Sequence, residues 1–159
     1  MARHMRGRPA RDRARVQLAA AAVAGIFLLI GVLGFIPGVT TDYGDLAFAG
    51  HHSGAMLLGL VQVSVLHNLV HLGSGLLGLA LARSVVGARV FLGVGGALYL
   101  GVWVYGLAIA DDSGANWLPV DAAGDWLHLV LGFGMLALGL LLSPRSGTGG
   151  RPDTPIDRP

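Results

Sequence analysis

The segment VSVLHNLVHLGSG at residues 63–75 has a counterpart, VDAAGDWLHLVLG, at residues 120–132. The two segments share the pattern V-[S/D]-x-x-x-[N/D]-x-x-H-L-x-x-G and lie 57 positions apart (120 minus 63). Both lie in apolar surroundings, where polar and titratable side chains are costly and seldom kept without a role. The recurrence therefore predicts two equivalent helices, each with a polar face at the same depth.

The composition of the whole chain predicts a membrane protein. Of its 159 residues, 53% are apolar and 13% are charged, whereas a soluble domain has about 25% charged residues. The basic residues are all Arg and the acidic residues all Asp, a bias typical of high-GC bacterial genomes. The absence of Cys excludes disulfides, thiolate catalysis and Cys-ligated metal sites. Without aromatic interleaving of the arginines, we expect no nucleic-acid partner.

Four apolar runs are each long enough to cross a bilayer core of about 30 Å as a helix. The predicted spans are residues 16–36, 65–82, 90–110 and 125–142, which together make one domain over 16–142. A basic tail, residues 1–15, precedes them, and a segment rich in Pro, Gly, Ser and Thr, residues 143–159, follows and is expected to be disordered. The sequence thus predicts an all-α integral membrane four-helix bundle.

The arginines indicate how the bundle sits in the membrane. All of them lie in the N-terminal tail, in the link 83–89 or in the C-terminal tail, while 37–64 and 111–124 carry only acidic charges. By the positive-inside rule, we predict a multi-pass plasma-membrane protein with both termini in the cytoplasm. The alternative, a cleaved signal peptide over residues 1–49, has an apolar stretch that is unusually long and ends well before the candidate cleavage site.

Two spans return the chain to the same side, so the bundle is expected to consist of two tandem helix-pair repeats. A pseudo-twofold axis along the membrane normal would relate them. Ser64 and Asp121 are the predicted N-caps of the second and fourth helices. At a rise of 1.5 Å per residue, His71 and His128 would both lie about 10 Å beyond the helix start.

Small residues predict where the helices pack. Gly75 and Gly132 fall on the same helical face as the histidines of their segments, which indicates that this face looks into the bundle. On the third helix, Gly93, Ala97 and Gly101 recur at four-residue spacing, as in a small-xxx-small packing stripe.

Three hypotheses describe the polar face. Asn68–His71 and Asp125–His128 could be interhelical hydrogen-bonding pairs that fix the register and symmetry of the helices. Alternatively, His67, His71, His128 and Asp125 could bind a divalent metal, or His71 and His128 could ligate a haem b iron from both sides. In the third hypothesis, Asp125 and His128 handle protons in a small proton-coupled carrier.

The sequence favours a structural or accessory protein without a cofactor, acting in the lipid bilayer through self-association or another membrane protein. His67 aligns with Gly124, so symmetry gives one histidine per repeat, fewer than the ligands a metal site usually needs. No hydrolase, kinase or dinucleotide motif is present, and Ser74 lacks the Gly-x-Ser-x-Gly context of a nucleophile. We therefore expect no enzyme activity.

The strings HNLVHL, residues 67–72, and ANWLPVDAAGDWLHL, residues 115–129, resemble a known family. It comprises small four-span actinobacterial membrane proteins and is catalogued as domain of unknown function forty-three eighty-three. The resemblance covers about residues 15–143 and implies the four-span architecture and an actinobacterial origin. It implies no activity, cofactor or site residue.

Overall fold

Four helices form the body of the protein, as the sequence predicts. The computed structural model describes residues 8–109 and 113–142. The helices are α1 (Arg8–Leu33), α2 (Val65–Leu81), α3 (Val85–Ala108) and α4 (Ala122–Leu141). The predicted disorder of residues 143–159 and the acidic residues Asp111 and Asp112 lie outside the described residues.

The helices have the length and surface of membrane helices. In the described part of the chain, Arg15–Leu33, Val85–Ala108 and Ala122–Leu141 are long and apolar enough to cross a bilayer. The remaining helix, α2, is also apolar but has only 17 residues. At 1.5 Å per residue it is about 25 Å long, a little shorter than the bilayer core of about 30 Å. Exposed leucines and valines cover the outside of the bundle, a surface suited to lipid and consistent with a membrane protein.

Three helix starts differ from the sequence-based boundaries. Helix α4 begins at Ala122 instead of residue 125, directly after its N-cap Asp121. Helix α1 begins at Arg8, within the segment that was predicted as a tail. Helix α3 begins at Val85 instead of residue 90, because the Ser84 hydroxyl accepts a hydrogen bond from the Gly87 N–H at 2.9 Å. This cap supplies one of the partners that the first helical turn lacks. The predicted link 83–89 is therefore mostly helix.

Gln17, the polar residue inside the first predicted span, has a structural partner at the end of another helix. Its side-chain amide donates to the Ala82 carbonyl at 3.0 Å, just beyond the end of α2. Carbonyls in the last turn of a helix have no partner within the helix. The hydrogen bond therefore ties α1 to the α2 C-terminus and explains how an amide fits into an apolar run.

The helices pack as two pairs, α1 with α2 and α3 with α4. The pairs meet mainly through α1 and α3, with smaller contacts between α2 and α3 and between α1 and α4. Helices α2 and α4 are not among the closely packed pairs. Since these two helices carry the repeated histidine pattern, the space between them is where the polar side chains meet. The buried core beside this space includes Phe27, Phe91, Leu92, Tyr99 and Met135.

The segment between α1 and α2, expected to be a loop, contains a small antiparallel sheet. Its strands are β1 (Thr40–Thr41), β2 (Met56–Leu57) and β3 (Val61–Gln62), in the order β1-β2-β3. Thr40 lies opposite Leu57, and Leu57 lies opposite Val61. A second, smaller core of Ala55, Leu57 and Val63 packs beneath it against the end of α1. The β2–β3 hairpin is therefore attached to the bundle.

Candidate functional site

The helices that carry the repeated pattern begin in the same way. The Ser64 hydroxyl accepts a hydrogen bond from the His67 N–H at 3.1 Å. The Asp121 carboxylate accepts one from the Gly124 N–H at 2.8 Å. Both predicted caps thus lie at helix starts, and the residues after them advance at equal depth along α2 and α4.

Each helix pair crosses at a glycine of the repeated pattern. A Cβ added at Gly75 would lie 2.8 Å from the Ala24 carbonyl oxygen of α1. A Cβ added at Gly132 would lie 3.0 Å from the Gly96 carbonyl oxygen of α3. Gly75 and Gly132 are 57 positions apart (132 minus 75), and Ala24 and Gly96 are 72 apart (96 minus 24). The predicted packing role of Gly75 and Gly132 therefore matches the geometry.

The stripe Gly93, Ala97 and Gly101 was expected to pack against a neighbouring helix of the bundle, but it does not. A Cβ at Gly93 or Gly101 would meet no atom within 4 Å, and Ala97 is exposed. Glycine spacing shows which residues share a face but not which face meets a neighbour. Within the described chain, Gly96 makes the close contact with α4, and the predicted stripe faces outward.

Asn68 and Asp125 occupy the same position of the repeated pattern, and each lies against a glycine of the helix pair to which it belongs. Gly34, directly after α1, faces Asn68, and Gly106 of α3 faces Asp125. A Cβ at Gly34 would collide with the Asn68 side chain, and one at Gly106 would collide with the Asp125 carboxylate. Gly34 and Gly106 are again 72 positions apart (106 minus 34). The side chain of Asn68 is fully buried, and within the described part of the chain neither its amide oxygen nor its amide nitrogen has a hydrogen-bond partner.

The predicted interhelical hydrogen bonding is absent at Asn68 within the described residues, whereas His71 bonds to Tyr99 of α3. The two residues share a helical face, but the Asn68 amide turns toward the space left by Gly34, and His71 bonds to other groups. Its Nδ1 lies 3.1 Å from the His67 carbonyl oxygen, and its Nε2 lies 3.4 Å from the Tyr99 hydroxyl. Since a carbonyl only accepts, Nδ1 carries the proton and Nε2 accepts from Tyr99.

Three imidazoles and a phenol meet between α2 and α4. The rings of His67 and His71 are stacked, with centroids 4.5 Å apart. The ring of His128 lies 6.2 Å from that of His67 and 5.6 Å from that of Tyr99. Tyr99 in turn stacks on Phe27 of α1 at 5.0 Å. The sequence analysis grouped His67, His71 and His128, and the structure places these three side chains together. It did not identify Tyr99 or Phe27.

Phe27 and Tyr99 occupy matching positions of α1 and α3, 72 residues apart (99 minus 27). Phe27 packs edge-on to His71 at 5.7 Å, and Tyr99 contacts His128 at 5.6 Å. The sequence signal that could have found them is this second, weaker offset between the first and third helices. This offset of 72 residues can be recognised only after the histidine pattern has been used to divide the chain into two halves.

The histidines separate two cavities with matching positions in the two halves. One, of about 260 Å³, lies between α2 and α3 beneath Leu118 and Val120. The other, of about 360 Å³, lies between α1 and α4 beneath the β2–β3 hairpin. His67, His71 and His128 line both, and the remaining walls are almost wholly apolar. The three imidazoles thus form a polar partition inside an apolar bundle.

One buried atom of this partition has no hydrogen-bond partner among the described residues. The Nδ1 of His128 is buried without a hydrogen bond, in a side chain that is only 7% exposed. Leaving a buried polar atom unpaired costs about 1–3 kcal/mol. The polar cluster is therefore incomplete at His128.

The geometry does not favour the predicted metal and haem ligand sets. Among the residues that the structure describes, no three His or Asp side chains are grouped so that they could hold a metal ion. For a haem iron held by His71 and His128, the Nε2 of His71 would have to give up its hydrogen bond to Tyr99. The residues present fit a hydrogen-bonding site better than a ligand sphere.

These features define a class: a small bundle of apolar, membrane-length helices with a buried histidine cluster between two helix pairs. The family model described as Domain of unknown function (DUF4383) matches residues 17–141. The chain belongs to this family, which confirms the resemblance seen in the sequence. No curated protein and no solved structure matches the chain.

Proposed function

We propose that this protein binds a small, mainly apolar molecule inside the membrane, in the cavities on either side of the histidines that lie between α2 and α4. The observation that carries the proposal is the set of three imidazoles, those of His67, His71 and His128, which line two otherwise apolar cavities. A polar group of the ligand would hydrogen-bond to this set of imidazoles, while its apolar part fills the cavity. No residue of the site needs to do chemistry on the ligand.

The two cavities have the character of ligand sites. Pockets for small molecules are about 300–1,000 Å³, mostly apolar, with a few polar groups that fix the orientation of the ligand. The hairpin-side cavity, at about 360 Å³, is within this range, and the other, at about 260 Å³, is just below it. The imidazoles of His67, His71 and His128 are the polar groups that both cavities share.

The architecture that supports this proposal is a four-span bundle of two tandem helix-pair repeats with both termini in the cytoplasm. The matching crossings at Gly75 and Gly132 and the two matching cavities support the repeats. The distribution of Arg residues supports the orientation. Helix α2, although short, can span with local thinning of the bilayer or adjustment of its flanking residues. The histidines would then lie in the outer leaflet.

The proposal is tested by comparing the small molecules that co-purify with three forms of the protein. Wild type, His128→Phe and the outer-loop variant His52→Ala are isolated from membranes in mild detergent, extracted with organic solvent and analysed by mass spectrometry. We expect a molecule that is retained by wild type and His52→Ala and lost from His128→Phe. If all three extracts have the same composition, the binding proposal is refuted.

A stability measurement on the same variants adds a readout that needs no ligand. Phe has no polar ring atom, so His128→Phe removes the unpaired nitrogen while keeping a flat ring. Replacing an unsatisfied buried polar group by an apolar one of similar shape is close to neutral or stabilising. Ligand-free His128→Phe should thus resist unfolding at least as well as ligand-free wild type.

A second candidate is the structural or accessory role through self-association. The outward-facing stripe Gly93, Ala97 and Gly101 favours it, because small residues allow helices of two molecules to approach closely in lipid. Energy transfer between labelled copies in liposomes tests it, with Ala97→Leu expected to reduce the signal. Val86→Leu, at an exposed position of the same helix, is the control. Equal signals for both variants would remove this candidate.

A further inference from the structure

The segment between α1 and α2 changes from polar to apolar partway along its length. Residues 40–53 include Thr, Asp, Tyr, His and Ser side chains, whereas residues 54–61, GAMLLGLV, include no polar side chain. The apolar stretch contains β2 and the turn that leads into β3. We call residues 57–60 the hairpin tip. Its two leucines beyond β2, Leu58 and Leu60, are 62% and 65% exposed, so the tip presents an apolar surface.

The turn holds Leu58 in a backbone conformation that disfavours leucine. Within the described residues, Asp42 and Leu58 are the non-glycine residues with positive φ, of 48° and 54°. Asp visits the left-handed region because its short side chain can bond locally, whereas leucine is rarely found there. Gly59 follows with a φ of 68°, and turns of this kind favour Asn-Gly or Asp-Gly. A leucine at this position indicates a role for its exposed side chain.

The hairpin points along α4 toward the middle of the bundle. The Gln62 N–H donates to the carboxylate of Asp121, the N-cap of α4, at 3.3 Å. One residue nearer the tip, the Val61 side chain lies 3.6 Å from a Cβ added at Gly124, in the first turn of α4. The strand thus runs beside α4 from its start inward. The tip therefore lies deeper than the start of α4.

The tip continues the apolar outer surface of the helices. One cavity wall, on the hairpin side, includes Leu58, Leu60, Ile26 of α1 and Leu127 of α4. Leu127 is six residues beyond Asp121 (127 minus 121), which is about 9 Å along the helix. All four apolar side chains are exposed on the outside of the bundle. The leucines of the tip therefore join the surface that is suited to lipid.

The N–H groups of the turn need no water. The Leu58 N–H donates to the Val39 carbonyl at 2.9 Å. The N–H groups of Gly59 and Leu60 donate to carbonyls of the hairpin itself, at 3.2 and 3.0 Å. Backbone groups without partners are costly at membrane depth. With its donors paired, the turn can lie at the membrane interface while its leucines reach the hydrocarbon.

We infer that the hairpin tip is a membrane-contact element, with Leu58 and Leu60 inserted among the acyl chains of outer-leaflet lipids. This insertion supplies apolar height that α2 lacks. The 17 residues of α2 cover about 25 Å of a core of about 30 Å, and the hairpin directly precedes them. The hairpin-side cavity then opens toward lipid instead of water. The inference rests on the membrane orientation given under the proposed function, and not on ligand binding.

Spin labels on single cysteines measure which phase surrounds the tip. The chain has no Cys, so each variant carries one label. Leu58→Cys is paired with Asp42→Cys, because Asp42 is also exposed, has the same left-handed backbone and lies in the same outer segment. Each variant is placed in phosphatidylcholine nanodiscs. Power saturation then gives the collision rates of the label with oxygen, which dissolves in lipid, and with chromium oxalate, which stays in water.

We expect the ratio of oxygen to chromium oxalate collisions to be about tenfold higher at Leu58 than at Asp42, because a hydrated anion is excluded from hydrocarbon. Leu60→Cys has no positive φ and should give the same result as Leu58→Cys, so the test does not depend on the strained turn position. Leu76→Cys, at an exposed position of α2, is the reference for a helix position that faces lipid.

Three results would overturn the inference, and they are distinguishable. Ratios at Leu58 and Leu60 no higher than at Asp42, with the Leu76 label in lipid, would refute insertion of the tip and leave the bundle and its ligand site intact. Labels at Leu58 and Leu60 shielded from both reagents would show that protein, such as a second copy of the chain, covers the tip. Chromium oxalate reaching the Leu76 label would refute the membrane architecture of the proposed function as well.

Discussion

Substituting the crossing glycines of α2 and α4 tests how closely the helix pairs pack. In α2, Gly75 touches α1, whereas Gly73, two residues earlier, has nothing within 4 Å of an added Cβ. Alanine at either site gains the same intrinsic helix preference over glycine, about 0.8–1.0 kcal/mol in water. The difference between Gly75→Ala and Gly73→Ala therefore measures the packing term alone.

The expected magnitude follows from the contacts. A Cβ at Gly75 would lie 2.6 Å from Leu28 Cγ and 2.8 Å from the Ala24 carbonyl oxygen, whereas carbon contacts are optimal at about 3.5–4.0 Å. The leucine can rotate, but the carbonyl belongs to the α1 backbone, so the helices must separate. Overpacking of this kind costs about 1–3 kcal/mol, which we expect as the loss of unfolding free energy relative to Gly73→Ala.

Unfolding in mixed micelles measures this difference. The variants are titrated with sodium dodecyl sulfate in mild detergent, and helix content is followed by circular dichroism. The second half of the chain supplies an independent pair, Gly132→Ala against the open position Gly134. At Gly132 the nearest backbone oxygen is 3.0 Å away, so we expect a somewhat smaller loss. If Gly75→Ala and Gly73→Ala unfold within about 0.5 kcal/mol of each other, well below the overpacking range, the close crossing is wrong.

Three further outcomes are expected. Tyr99→Phe leaves the Nε2 of His71 without its donor and should lower the unfolding free energy by about 1–3 kcal/mol, as measured by the same titration. Ser64→Ala and Asp121→Ala each remove an N-cap and should cost about 0.5–2 kcal/mol; a loss at only one site would contradict equivalent helix starts. A cysteine introduced at Phe48 should react with a membrane-impermeant maleimide in intact cells, and protection until lysis would contradict the predicted orientation.

The sequence was sufficient for the helices and for the positions that repeat with the histidine pattern. Ser64, Asp121, Gly75 and Gly132 are each defined by local rules, since capping and small-residue packing depend on the neighbours along one helix. The same rules located the histidines on one inward face. These features follow from periodicity and end signals, which a single sequence contains.

The rest depends on how elements meet, which local patterns do not encode. The glycine spacing of α3 predicted a packing stripe at Gly93, whereas the contact with α4 is at Gly96, whose neighbours at four-residue spacing are Leu92 and Leu100. The outer hairpin was missed because its strands of two residues are too short for an alternating pattern. The role of Tyr99 could not be predicted, because in the sequence it is one aromatic residue in an apolar helix. Only the fold shows that its hydroxyl lies beside His71.

The two halves of the chain agree in packing and differ at the histidine cluster. The crossings at Gly75 and Gly132 have the same geometry, but His67 is matched by Gly124 and Tyr99 by Phe27. A cluster that served only to join two equivalent halves would need no such differences, since symmetric residues could make symmetric contacts. The added imidazole of His67 and the added hydroxyl of Tyr99 instead make the partition asymmetric, and the Tyr99 hydroxyl bonds to His71.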